Sequence, residues 1–221
     1  MAIQTLSDLT SAVGAWLFAR TDLTAVIPNF ISLFEAEANR TLFVRQMEAR
    51  AVATIDPTSP TPDFLPLPGD FQTMRRVRLL NAVTGIKSLR YMTGTQMDDR
   101  RDQSNNGTGE PEFFSLYGSV IEFFPQPVQN YQLEMVYRTN LQSLGSVISG
   151  QTITTNWLLT MAPDAYLFGT LMQAAPYLSD DERIPVWMGG MQKAIKQLND
   201  LSEEALYNAG PLVQRSRRRG Y

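Results

Sequence analysis

The sequence has no cysteine and no histidine. Disulfides, thiolate zinc sites and thiol nucleophiles are therefore excluded, and so are Ser-His-Asp triads and imidazole acid–base chemistry. Lysine is scarce: Lys87, Lys193 and Lys196 are the three. A carboxylate-only enzyme or a serine–lysine pair is the chemistry left. Long apolar runs are missing too. The longest early one, AVGAWLFA, falls well short of the roughly 20 residues a membrane-crossing helix needs, and no basic stretch precedes it. The expectation is a chain made in the cytoplasm, soluble, with no membrane partner. Phosphate cradles are lacking as well, since TGTQM and NNGTGEP have neither Walker nor dinucleotide spacing. No cofactor and no metal is expected, and no 20–50-residue repeat is present.

What the sequence does contain suits a folded protein. Its 221 residues, 43% hydrophobic and 19% charged, fit one domain or one domain with a sizeable insertion. Net charge is −3, but without Arg215, Arg217, Arg218 and Arg219 the remainder holds 15 basic against 22 acidic residues, or −7. An acidic body argues against binding DNA over the general surface.

Periodicity divides the chain into helical ends and an extended middle. Leu6, Leu9, Val13 and Leu17 repeat at helical spacing, with Thr5 and Asp8 as a capping pair. Thr21 or Asp22 marks a second start. Pro28 then opens a longer helix with the stripe Phe30, Ile31, Phe34, Ala38 and Leu42, and with Glu35, Glu37 and Arg45 on its outer face. IDPTSPTPDFLPLPGD holds five prolines and reads as an extended linker. FQTMRRVRLLN and GIKSLRYMT read as strands, Asp98 to Asp102 as one helical turn, and SNNGTG as a mobile loop. A hairpin is expected between FFSLYGSVIEFF and YQLEMVYR across PQPVQN. Tyr131, Leu133, Met135 and Tyr137 share its covered face, while Gln132, Glu134, Val136 and Arg138 face the other way. Pro163 suits a helix start, Ser179 or Asp180 a cap. Ile184, Trp187, Met191, Ile195, Leu198, Leu201 and Leu206 mark a last helix, interrupted by Gly189-Gly190. The expected fold is α+β: a helical bundle formed by the N- and C-terminal helices, an inserted antiparallel β-hairpin or sheet region, and an extended C-terminal tail. The bounds are 1–50, 51–156, 157–209 and 210–221.

Four features bear on function. The carboxylates Asp98, Asp99 and Asp102, and Asp180, Asp181 and Glu182, could serve hydrolysis or hold a hard cation, but neither set has calcium-loop spacing, and a solvated turn or a helix start explains each. Arg76 and Arg78 share one face of their strand, opposite Arg75. They meet acids of a neighbouring copy, line a DNA passage, or guard a sheet edge. Ile121 and Phe123 on one face, with Val120 and Phe124 on the other, are more apolar surface than a small insertion can bury alone. Phe123 and Phe124, with Arg76 and Arg78, are thus candidate subunit-interface residues. The tail PLVQRSRRRGY is a nucleic-acid hook, an arm for an acidic protein groove, or a solubilising end.

In order along the chain, FISLFEAEANRTLFVRQMEARA, LPLPGDFQTMRRVRLL, GEPEFFSLYGSVIEFFPQPVQNYQLEMVYR and NWLLTMAPDAYLFGTLMQAAPYLSDDERIPVWMGGMQKAIKQLND resemble the segments of phage head-to-tail adaptors, the head-completion proteins that include podophage tail tubular protein A. The likeness covers about residues 5 to 208. It implies a non-enzymatic virion protein at the head–tail junction: a ring, twelve-fold, docked on the portal protein, linked to a tail (nozzle or tail-tube) protein, with genomic DNA passing unread through its lumen. Position and charge make Arg215, Arg217, Arg218, Arg219 and Tyr221 the expected portal-binding residues. The alternative is a nucleic-acid-binding protein that uses the arginine-rich tail.

Overall fold

The computed structural model describes residues 2–18, 21–83, 85–104, 107–178 and 181–207. It is mixed α+β and divides into two compact units: Met1–Gln46 with Leu141–Tyr221, and Met47–Asn140.

The first unit begins with α1 (Leu6–Trp16). The Thr5 hydroxyl accepts from the Asp8 amide while the Asp8 carboxylate accepts from the Thr5 amide, so two otherwise orphaned donors are satisfied. A 3-10 turn (Thr21–Leu23) precedes α2 (Ile27–Thr41), with Pro28 in its first turn. Phe30, Ile31, Phe34, Ala38 and Leu42 are buried as their spacing requires. Glu35 is not on the outer face. It is 2% exposed, because position 35 falls inside the arc of 31, 34 and 38. Arg45 lies beyond the end of α2, in a short 3-10 turn.

The second unit is layered. Its strands are β1 (Glu48–Ile55), β2 (Phe64–Pro66), β3 (Phe71–Ala82), β4 (Gly85–Ser88) and β5 (Arg90–Tyr91), followed by α3 (Gly94–Ser104), β6 (Thr108–Gly109), β7 (Phe113–Tyr117), β8 (Val120–Phe124), β9 (Gln126–Pro127) and β10 (Tyr131–Thr139). One antiparallel sheet has the order β1-β10-β3-β4. A second has the order β2-β8-β7-β5, with β5 parallel to β7. The expected hairpin across PQPVQN does not form. β8 turns back on β7 through Gly118, whose φ of +56° suits a glycine, and β10 pairs with β1 and β3 in the other sheet. A two-residue turn closes at lower entropic cost than a six-residue one. MRRVRLL is an edge only in part: β4 pairs with β3 from Arg78 to Ala82, whereas the register of Met74 and Arg76 is to β10 alone.

Val77, Leu79, Leu133 and Met135 from the first sheet share one core with Phe114, Ile121 and Phe123 from the second. The far side of the second sheet is covered by α3. Met97 is fully buried, Arg100 stacks 5.3 Å from the Phe113 ring centroid, and Arg101 pairs with the buried Glu122. This third layer explains why Phe123 (0% exposed) and Phe124 (5%) are both covered within the chain, contrary to the argument that VIEFF needs a second copy. α3 runs for 11 residues, not the single turn expected.

The chain then returns to the first unit through a small hairpin, β11 (Val147–Ile148) and β12 (Gln151–Thr152), followed by α4 (Trp157–Met161), α5 (Pro163–Leu178) and α6 (Ile184–Tyr207). α5 packs on α1, α2, α4 and α6. Two glycines permit the close approaches. A Cβ at Gly169 would lie 2.0 Å from the Phe34 ring, and one at Gly190 would lie 2.8 Å from the Phe168 ring, whereas Gly189 has open space. Gly190 is thus explained by contact with α5. Leu201, expected in the α6 stripe, is 60% exposed.

Candidate functional site

The sequence candidates separate in the structure. Arg215, Arg217, Arg218, Arg219 and Tyr221 lie outside the described residues, as does Asp180. Asp98 and Asp102 are exposed on α3. Among the described residues no three acidic groups converge to hold a metal ion. Phe123 and Phe124 belong to the chain's own interior, while Arg76 and Arg78 stand on the outer face of the β1-β10-β3-β4 sheet.

That outer face is the most distinctive surface of the second unit. Strand alternation places Arg50, Arg76, Arg78 and Arg138 on it. A bulge adds a fifth guanidinium: Val136 aligns with Arg76 but Tyr137 with Met74, so Arg75 is the extra residue, and it pairs with Glu48 at 2.8 Å. At the centre sits Glu134, aligned with Val52 of β1 and Arg78 of β3 and only 1% exposed. Arg78 donates to one of its carboxylate oxygens, and Arg50 forms an ion pair with the other. The hydrogen bond from Arg78 outweighs burial and, with the fields of Arg50, Arg78 and Arg76, holds the Glu134 carboxyl below the ordinary glutamate range. Crowding shows on Arg138, whose proton affinity is lowered by burial and by the nearby Arg75 charge. Two glutamates against five arginines leave the face basic. The expected solvated face of β10 is therefore an ionic lattice on a rigid sheet. Such preordered planar forks suit carboxylate or phosphate oxygens of a partner.

The first unit buries a different acid. Glu35 accepts from the Leu144 amide (2.9 Å) and from the Tyr166 hydroxyl (3.0 Å), and that hydroxyl accepts from the Asn156 side chain (2.6 Å). Asn156 also caps α4 through the Leu159 amide and donates to the Gln142 carbonyl. With no cation among these partners, burial dominates and pushes the Glu35 carboxyl above its ordinary range, while burial and the nearby Glu35 push the Tyr166 phenol up. The group fixes the 141–156 segment onto α2 and α5.

The model of the SU10 adaptor protein family matches residues 4–215, nearly the whole chain. The chain belongs to the SU10 adaptor protein family. It is accordingly a phage adaptor-type protein, a structural component of the virion, from a family that is generally non-enzymatic. No curated protein matches it. No helix among the described residues of this adaptor is long and apolar enough to cross a membrane.

Proposed function

We propose that this adaptor docks on the portal protein as a closed ring, carries a tail protein on its other side, and lets genomic DNA pass through its lumen at the head–tail junction. The observation that carries the reading is the family match over residues 4–215. Surface composition supports the ring. Trp16, Phe18, Phe43, Tyr177 and Val186 of the first unit are each about half exposed or more, apolar surface that neighbouring copies would cover. Head-to-tail contacts of this kind close only through rotational symmetry, here read as twelve-fold. The helices of the two chain ends form the bundle-like wall of each copy. Arg76 on the arginine-faced sheet contacts a neighbour or the portal. Residues 215–221 act as an arm, with Arg215, Arg217, Arg218, Arg219 and Tyr221 gripping portal carboxylates and carbonyls.

A chain lacking residues 212–221 tests the arm. Its thermal melting should be unchanged while its recovery on immobilised portal falls at least tenfold. Equal recovery of the full and shortened chains removes the arm from the account. The basic sheet face favours one second reading, contact with nucleic acid. Duplex binding that falls steeply with salt and survives in the folded body would support it.

A further inference from the structure

The β1-β10-β3-β4 sheet ends in two strands that each pair on one side only, and both present an exposed β-branched side chain. Among the described residues β1 has a ladder partner on one side only, β10, along all eight of its residues and without a bulge. Long regular edges of this kind invite pairing with another chain unless charge, proline or a bulge blunts them. β1 has no proline, and its two charges are drawn over the sheet's own face, Glu48 to Arg75 and Arg50 to Glu134. The edge therefore presents its backbone groups, Thr54 and Val52, which is 56% exposed. β4, at the opposite end, likewise pairs on one side only and presents Ile86, 63% exposed.

Two features select a second copy of this chain as the occupant of the β1 edge. The strands of the sheet alternate in direction throughout, so β4 of a neighbour laid against β1 continues the antiparallel order. Val52, Glu134, Arg78 and Ser88 align across the sheet, and Ile86 is two residues from Ser88. The two exposed β-branched side chains thus lie on one face at opposite edges and become cross-strand neighbours only between copies.

We infer that adjacent copies in the assembly join head to tail, β4 of one pairing with the β1 edge of the next and setting Ile86 against Val52. This rests on the ring reading above. The chain has no cysteine, so Val52→Cys and Ile86→Cys are the only thiols in the test. After mild oxidation of the assembled full chain, the double variant should give a ladder of covalent multimers on a non-reducing gel, and each single variant should run as monomer. A second readout comes from Val52→Lys and Ile86→Lys, both at exposed positions: each should melt like the parent yet lower assembly at least tenfold. A double variant that stays monomeric while micrographs show rings on portals overturns this contact and leaves the ring standing. Dimers from Val52→Cys alone, showing β1 against β1, overturn it too, as does a cross-link to a protein of another mass. A monomeric chain beside bare portals removes both readings.

Discussion

Each unit of this chain buries a glutamate, and the two are held in opposite ways. In the first unit Glu35 meets neutral donors, the Leu144 amide and the Tyr166 and Ser143 hydroxyls, and burial pushes it toward its protonated form. In the second, Glu134 meets Arg78 and Arg50 and is held as a carboxylate. A buried acid among neutral donors fixes a loop. A buried acid among cations fixes the cations, and it leaves an ordered basic face to the outside. The difference separates a unit that positions chain segments from a unit that presents a charged surface.

The sharpest way to break the comparison is to disturb the close packing around Glu35. Gly169→Ala drives a Cβ to 2.0 Å from the ring of the fully buried Phe34 and should cost about 3 kcal/mol, seen as a lower urea midpoint. Tyr166→Phe removes the donor to Glu35 and the acceptor for Asn156. It should cost about 2 kcal/mol in the same assay, since both partners stay buried.

The pH dependence should separate the units without any loss of packing. Glu35 titrates above its unfolded value, so its contribution is complete at low pH and declines as pH rises above the ordinary glutamate range. Glu134 titrates below its unfolded value, so its contribution is present above the ordinary range and is lost as pH falls through its lowered value. All three tryptophans, Trp16, Trp157 and Trp187, lie in the first unit. Tryptophan fluorescence should therefore follow the Glu35 limb, and amide exchange within residues 47–140 the Glu134 limb. Glu35→Gln should flatten the first limb only, and Glu134→Gln the second only. The smallest effect should come from Gly189→Ala, where nothing lies within 4 Å. It should stabilise α6 by about 1 kcal/mol, read as a raised melting midpoint.

Elements set by local rules were legible in the sequence. The Thr5–Asp8 cap, the start of α5 at Pro163 and the alternation of Tyr131, Leu133, Met135 and Tyr137 each need only neighbouring residues. What depends on distant partners was not. α3 carries one buried apolar residue, Met97, so it has no hydrophobic stripe to announce it, and the cover it gives the second sheet is not legible in the sequence. Glu35 looked solvated because its partners Leu144 and Tyr166 lie more than 100 residues away. Alternation puts Arg78 and Glu134 on outer faces of their strands, where both stand, but neither segment shows that the two pair across 56 residues. That β8 pairs with β7 across Gly118 on one side and with β2 on the other, leaving no side for β10, is a competition between partners that alternation does not decide.

The adaptor reading meets its most direct test in electron microscopy of purified portals mixed with the full chain, carrying a label at residue 221. The expected image is a closed ring of copies on one end of each portal, with the label at the portal-facing rim. Bare portals beside a monomeric chain would contradict it.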